Sequence, residues 1–289
     1  MRLTAPILLS PADLDTVTPD IASIRHSSLT TTRLGQLRYG AVPHAEARAW
    51  LESSTRAELE SELTRYPRIV DSLGGRDGLG GGRVMTTSME HLVVRDLDLE
   101  SLSPGSPSEG VSVDVVDAAA AAGRVVAFTE FMYHPPPPLP GQEPSSCAET
   151  QIDHPFPAPP PPPPSVHRSL HEHWDQTVEA ALSAWFGGMH CFEVRGLGTL
   201  APSHLRKGIA STLLAWLLPR ADRMGIPVVL AATPIGYPFY LRHGFVEVDG
   251  GSRRCHIECD MASWGGSGVH RHVLMIRRPK QKQPETGIV

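Results

Sequence analysis

The sequence predicts a mixed α/β (α+β) protein built around one sheet, and three stretches carry that reading. Between residues 209 and 224, Ile209, Leu213, Leu214, Leu217, Ala221 and Met224 recur at about 3.6-residue spacing, the stripe of an amphipathic helix. Directly after it, residues 228–233 (VVLAAT) form a short unbroken apolar run, which suits a strand buried on both faces. Far upstream, residues 124–133 (RVVAFTEFMY) are rich in β-branched and aromatic side chains, as strands are.

From the N-terminus, residues 1–6 read as a first strand, followed by an acidic turn and helical patterns at 13–24 and 44–66. In the second pattern Trp50, Leu51, Leu59 and Leu63 fall on one face. Residues 74–82 (GGRDGLGGG) lack both a GK[ST] ending and an apolar helix behind them, so they read as a loop and not as a phosphate cradle. Residues 111–116 alternate and predict a strand. Residues 134–166 contain PPPPLP and PAPPPPPP, which offer no backbone donors; they predict stiff polyproline II stretches projecting from the domain as a surface insertion. That composition also suits an SH3- or WW-type partner.

A helix over 170–185 and a strand over 192–200 follow. Within the helix at 209–224, Pro219 removes the bond to the carbonyl of Ala215 and predicts a kink, and Gly225 with Pro227 ends the helix. Residues 235–243 form a short helix closed by Gly244 ahead of another strand. Residues 255–259 (CHIEC) read as a strand before a final hairpin. The whole of 1–289 is expected to be a single domain, with its motif core at 192–279 and a flexible tail at 280–289.

The net charge of −5 argues against a broad nucleic-acid footprint. No apolar run is long enough to span a bilayer, and APILL is too short for a signal-peptide core, so a cytoplasmic protein with no membrane partner is expected. Four cysteines make no disulfide framework. Cys255, His256 and Cys259 have no second pair of soft ligands nearby in sequence, so no metal is expected. His167, His171, Glu172 and His173 miss the HExxH spacing and read as the solvated start of a helix.

The chemistry concentrates between 197 and 245. At Arg206, Lys207, Gly208, Ile209, Ala210 and Ser211 the chain leaves a strand and enters a helix, so backbone N–H groups without intrahelical partners point one way. Small side chains at Gly208 and Ala210 let an anion approach, and Arg206 and Lys207 add charge to the helix N-terminus. RKGIA, a helix, a strand and then YLRHGF resemble motifs A and B of the GNAT acetyl-CoA-dependent N-acetyltransferases. Gly208 and Ala210 match the first signature; Tyr240, Gly244 and Phe245 match the second. Leu205 stands where Gln or Arg is usual, with Arg206 one residue on. The C-terminal MASWGGSGVHRHVLMIRRP is similar to the last strands of fungal members.

The resemblance implies the GNAT acyl-CoA N-acyltransferase fold, with a central mixed, mostly antiparallel sheet flanked by helices. It implies acetyl-CoA as co-substrate and direct attack by a primary amine, with no metal. Residues 197–200, Leu200 among them, would hold the pantetheine arm, residues 206–211 the pyrophosphate, and the N-terminal helices would cover the acceptor side. Tyr240 matches the residue that protonates the departing thiolate. Glu193 stands where some members carry a catalytic glutamate, although strand alternation lets it face either the groove or solvent. His190 is the second candidate base. Cys191 has no paired base in sequence and reads as core. The acceptor reads as a small-molecule amine; a protein or peptide acceptor, or a non-catalytic acyl-CoA-binding or scaffold role, are the alternatives.

Overall fold

A computed structural model describes residues 1–69, 87–100, 123–137, 158–249 and 254–280. In chain order its elements are β1 (Ile7–Leu8), α1 (Leu14–Thr30), α2 (Arg33–Tyr39), α3 (His44–Arg65), β2 (Ser88–Asp96) and β3 (Arg124–His134). They continue with α4 (Arg168–Phe186), β4 (Cys191–Thr199), α5 (Ile209–Met224), β5 (Val228–Ala232), α6 (Tyr237–Arg242), β6 (Val246–Glu247), β7 (His256–Asp260) and β8 (Val269–Arg277). The eight strands form one sheet in the order β1-β2-β3-β4-β5-β8-β6, with β7 also paired to β8. The strand pairs are antiparallel except β4 with β5. This is the mixed, mostly antiparallel sheet flanked by helices that was expected.

Two neighbours on β2 show how the layers are arranged, because successive side chains of a strand reach opposite faces. Glu90 accepts from Trp216 and Arg220 of α5, at 3.0 and 2.7 Å. His91 faces Glu62 of α3 at 3.2 Å. One face of the sheet therefore carries α5, and the other carries α3 with α1, whose Arg25 reaches Glu130 of β3 at 2.6 Å. The same alternation on β4 sends Phe192 into the core beneath α5 and Cys191 into a second cluster, where Leu170 and Trp174 of α4 meet Val229, Leu274 and Ile276. Burial raises the Cys191 thiol pKa to about 12, and Glu193 adds to the rise, so the thiol stays protonated.

The first strand is displaced from residues 1–6: Leu3 makes only a single bridge to Asp96, and β1 itself is Ile7–Leu8. Neither α2 nor β2 is expected from the apolar pattern. The helix α5 runs through Pro219 unbroken and ends at Gly225 in the left-handed region, φ 69°. His171 is not part of a solvated helix start: it packs against the Tyr39 and Trp50 rings at centroid distances of 5.8 and 6.1 Å. Residues 158–166 do not project either. The indole of Trp50 donates to the Pro160 carbonyl at 3.1 Å, and Pro163 and Val166 are buried. The expectations for 74–82, 111–116, most of the proline-rich stretch (138–157) and the tail at 281–289 lie outside the described residues. No described helix is long and apolar enough to cross a membrane.

Candidate active site

The strand β4 is longer than its parallel partnership. Only Phe192 pairs with Val228 and Glu193 with Val229, whereas β4 continues to Thr199 and β5 to Ala232. The cause lies on the other side of β4. Glu130 of β3 pairs with Gly196 and Phe131 with Val194, so Arg195 is an extra residue in the ladder. A bulge of this kind bends its strand and increases the local twist. Here it falls two residues after Glu193, the last residue of β4 paired with β5, and β4 diverges from β5 from that point on. Gly196 suits the bend, since a Cβ there would lie 2.8 Å from Glu130 Oε2.

The resulting cleft lies at the carboxyl ends of two parallel strands joined through α5, the place where open α/β sheets bind ligands. The N-terminus of α5 opens on the same end. Gly208 caps it at φ 80°, and the first intrahelical bond runs from Thr212 N to Gly208 O at 3.2 Å, leaving the amides of Ile209, Ala210 and Ser211 without helical partners. A Cβ on Gly208 would meet nothing within 4 Å, so the approach is open. Arg206 holds φ 61°, an uncommon backbone for a residue with a side chain, and both Arg206 and Lys207 are exposed. The turn is fastened from below by His204, whose Nε2 lies 3.1 Å from Asp96 Oδ2 and whose Nδ1 lies 2.8 Å from Ser203 Oγ.

Ser211 Oγ lies 3.0 Å from His243 Nε2, which ties α5 to the end of α6. Leu200 sits deeper than its neighbours. Its side chain is buried, its N–H donates to Val126 O at 2.8 Å and its carbonyl accepts from His204 N at 3.0 Å. Tyr240 is also buried. Its ring packs edge-on against Phe239 and Phe245, with centroids 5.2 and 5.4 Å away, and its hydroxyl has no hydrogen-bond partner among the described residues. Burial raises its pKa far above the usual phenol range, which keeps the proton on the oxygen.

Glu193 stands at the fork itself, on the face of α1, α3 and α4. Its Oε2 lies 2.8 Å from His134 Nε2, a partner on β3 that the sequence did not single out. Arg195 beyond it is exposed yet sits among acids: partial desolvation lowers its pKa, and Glu193, Glu62, Glu130 and Glu179 together raise it above the usual value. Glu130 is in turn clamped by Arg25, which also binds Glu58 at 2.5 Å. Burial pushes the Glu130 pKa up, but Arg25 and His91 bring it below the usual value, so the buried group is a carboxylate. His190 is spent elsewhere, with its Nε2 3.1 Å from the Tyr133 hydroxyl. Glu130 and His134 lie on β3, but the partners that define them, Arg25 on α1 and Glu193 on β4, come from segments far away in the chain, which is why no local spacing announces the group.

No family model matches the chain, and no curated protein sequence does. Solved structures match at low identity. A putative arylalkylamine N-acetyltransferase 7 from the yellow fever mosquito Aedes aegypti is 12% identical, with 94% of this chain and 86% of that chain covered and a TM-score of 0.47. A PaiA N-acetyltransferase from Thermoplasma acidophilum in complex with coenzyme A is 13% identical, covering 96% and 99% with a TM-score of 0.40. A structure described as histone acetyltransferase HPA2 and related acetyltransferase, from Corynebacterium glutamicum, is 13% identical, covering 97% and 100% with a TM-score of 0.40.

Proposed function

We propose that the protein is an N-acetyltransferase of the GNAT type that transfers the acetyl group of acetyl-CoA to a small-molecule primary amine. The observation that carries the reading is the fork between β4 and β5, opened by the bulge at Arg195 beside the free amides that begin α5. The sequence resemblance at Gly208, Ala210, Tyr240, Gly244 and Phe245 falls around that same fork. The amides of Ile209, Ala210 and Ser211, with Arg206 and Lys207, suit a pyrophosphate. The open edge of β4 from Val194 to Thr199 suits a pantetheine amide chain, which can hydrogen-bond to a strand edge.

Bound acetyl-CoA would supply an activated acyl carbon. The amine nitrogen forms the new C–N bond there as the C–S bond breaks. The Tyr240 hydroxyl, kept protonated by burial, is the proposed proton donor to the leaving sulfur. Glu193 is the proposed acceptor of the amine's proton, held by His134. The acids around Arg195 favour an acceptor that arrives as an ammonium ion.

Gly208 provides the test. Its φ of 80° means that any side chain adds backbone strain, so Gly208→Ala measures strain alone. Gly208→Glu adds volume and negative charge where the pyrophosphate would lie. Calorimetry is expected to show CoA binding at least about tenfold weaker in Gly208→Glu than in Gly208→Ala, a difference of ~1.4 kcal/mol. Equal affinities in two folded variants would remove the cradle. Thiol release from acetyl-CoA with panels of small amines then tests the reaction, and CoA binding without thiol release would favour a non-catalytic acyl-CoA-binding role.

A further inference from the structure

The connection from β6 to β7 brings three unlike donors together. Glu247 ends β6, His256 begins β7 and Cys255 precedes it; their ligand atoms all lie within 4.8 Å of one another. Cys255 Sγ lies 3.5 Å from Glu247 Oε2, and His256 Nε2 lies 3.3 Å from the same oxygen. The geometry points to a binding site for one thiophilic divalent cation of the zinc class, held by Cys255 Sγ, His256 Nε2 and Glu247 Oε2.

The spacing is the first argument. A tetrahedral zinc ion about 2.3 Å from sulfur and about 2.0–2.2 Å from nitrogen and oxygen sets its ligand atoms roughly 3.3–3.6 Å apart. The two separations above fall in that range. A histidine and a carboxylate held only by a direct charge-assisted bond draw closer, to about 2.7–2.9 Å. His134 and Glu193 do so in this same molecule, at 2.8 Å, while His91 with Glu62 and His204 with Asp96 stand at 3.2 and 3.1 Å, so it is the Cys255 thiol on the same oxygen as the imidazole that marks this cluster.

Orientation is the second argument. The Tyr237 hydroxyl donates to Glu247 Oε1 at 2.7 Å, which leaves Oε2 turned toward the sulfur and the imidazole. Metal-bound carboxylates are commonly fixed by such an outer partner. The backbone is fixed as well: Leu274 N donates to Cys255 O at 2.8 Å, and Val248 N donates to Leu274 O at 3.0 Å. One residue of β8 therefore sets the spacing between the two halves of the donor set. Thiolate, imidazole and carboxylate together select zinc over magnesium or calcium, and three protein ligands leave a fourth position to water. Cys259 does not join them, since the β7–β8 register sets it opposite His270. The third ligand comes from β6, outside the CHIEC run, and this reading replaces the expectation that no metal binds.

The test is a cobalt(II) titration of the full chain after dialysis against a chelator. One ion per chain is expected, with sulfur-to-cobalt charge-transfer absorption that zinc(II) displaces, and with a rise in melting temperature. Cys255→Ser should abolish that absorption and Cys259→Ser should retain it. Glu247→Gln and His256→Ala should weaken binding at least about tenfold, and Tyr237→Phe about 10–100-fold. Failure of the wild-type chain to give the charge-transfer band would overturn the site without reference to any variant. So would a band that survives in Cys255→Ser, or cobalt affinity indifferent to Glu247 and His256 in variants with native circular dichroism.

Discussion

Tyr240 combines a packed ring with a hydroxyl that has no partner among the described residues, so Tyr240→Phe separates the two: the contacts to Phe239 and Phe245 survive and only the proton donor is lost. Turnover with a confirmed acceptor is expected to fall about 100-fold while CoA affinity stays level, as for loss of a general acid. Wild-type turnover under conditions where chemistry limits the rate would exclude the role. Burial acts in the opposite direction on His272. Its pKa is pushed down from 6.5 to about 3, chiefly by burial, with His270 and Arg38 adding to the effect. Its Nδ1 has no partner among the described residues and its ring stands edge-on to Trp174 at 4.9 Å. The unfolded chain takes up this proton below its ordinary pKa, and the folded chain does so only near pH 3. Between those limits the unfolded state binds more protons, so stability falls as pH falls. His272→Phe should flatten this acid limb, read as the urea midpoint against pH; parallel curves for the two proteins would show that His272 does not cause it.

Among the elements, β2 departs furthest from the rule that buried strands are apolar. All of Ser88–Asp96 is buried, including Glu90, His91, Arg95 and Asp96. The charged groups are tolerated because partners reach them: Arg220 and Trp216 bind Glu90, Glu62 faces His91, the Gly123 carbonyl accepts from Arg95, and His204 binds Asp96. Glu90→Gln leaves the half-buried Arg220 without its counter-charge, so it should lower the unfolding free energy by about 3 kcal/mol. Denaturant melts would show it, and Arg220→Met in the same background should restore part of the loss. The strand also marks the limit of what a sequence shows. α3, α5, β3 and β5 carry their own apolar period or run, and each was legible. β2 reads as charged chain until partners from 28 to 130 residues away are known, and α2 has only seven residues in which to show a period. Around the candidate site, the glycine turn that opens α5 and the short helix that carries Tyr240 were legible from the sequence. The bulge at Arg195 is a matter of register between two strands, and His134 of contact across them, so neither has a local signature.

At the scale of the whole molecule, the proline-rich stretch has two parts with different prospects. Residues 158–166 pack against α3 through Trp50 and Pro160, with Val166 buried, and belong to the fold. Replacing residues 138–157 with a short Gly-Ser linker should leave the melting temperature nearly unchanged, because loop closure costs little with length. Extending the deletion through 166 should lower it by several degrees, and equal melting temperatures would show that the packed part contributes nothing. The place of β8 in the sheet carries a different consequence. It is made after the other described strands, yet it lies between β5 and the β6–β7 edge and pairs with five residues of β5. During synthesis, Val228–Ala232 must therefore leave the ribosome with one edge bare until Arg277 has followed. An apolar strand with an open edge is a template for pairing with other chains. A nascent chain stalled anywhere between β5 and β8 is thus an aggregation hazard, and the speed of translation over that interval bears on how much protein reaches its folded state.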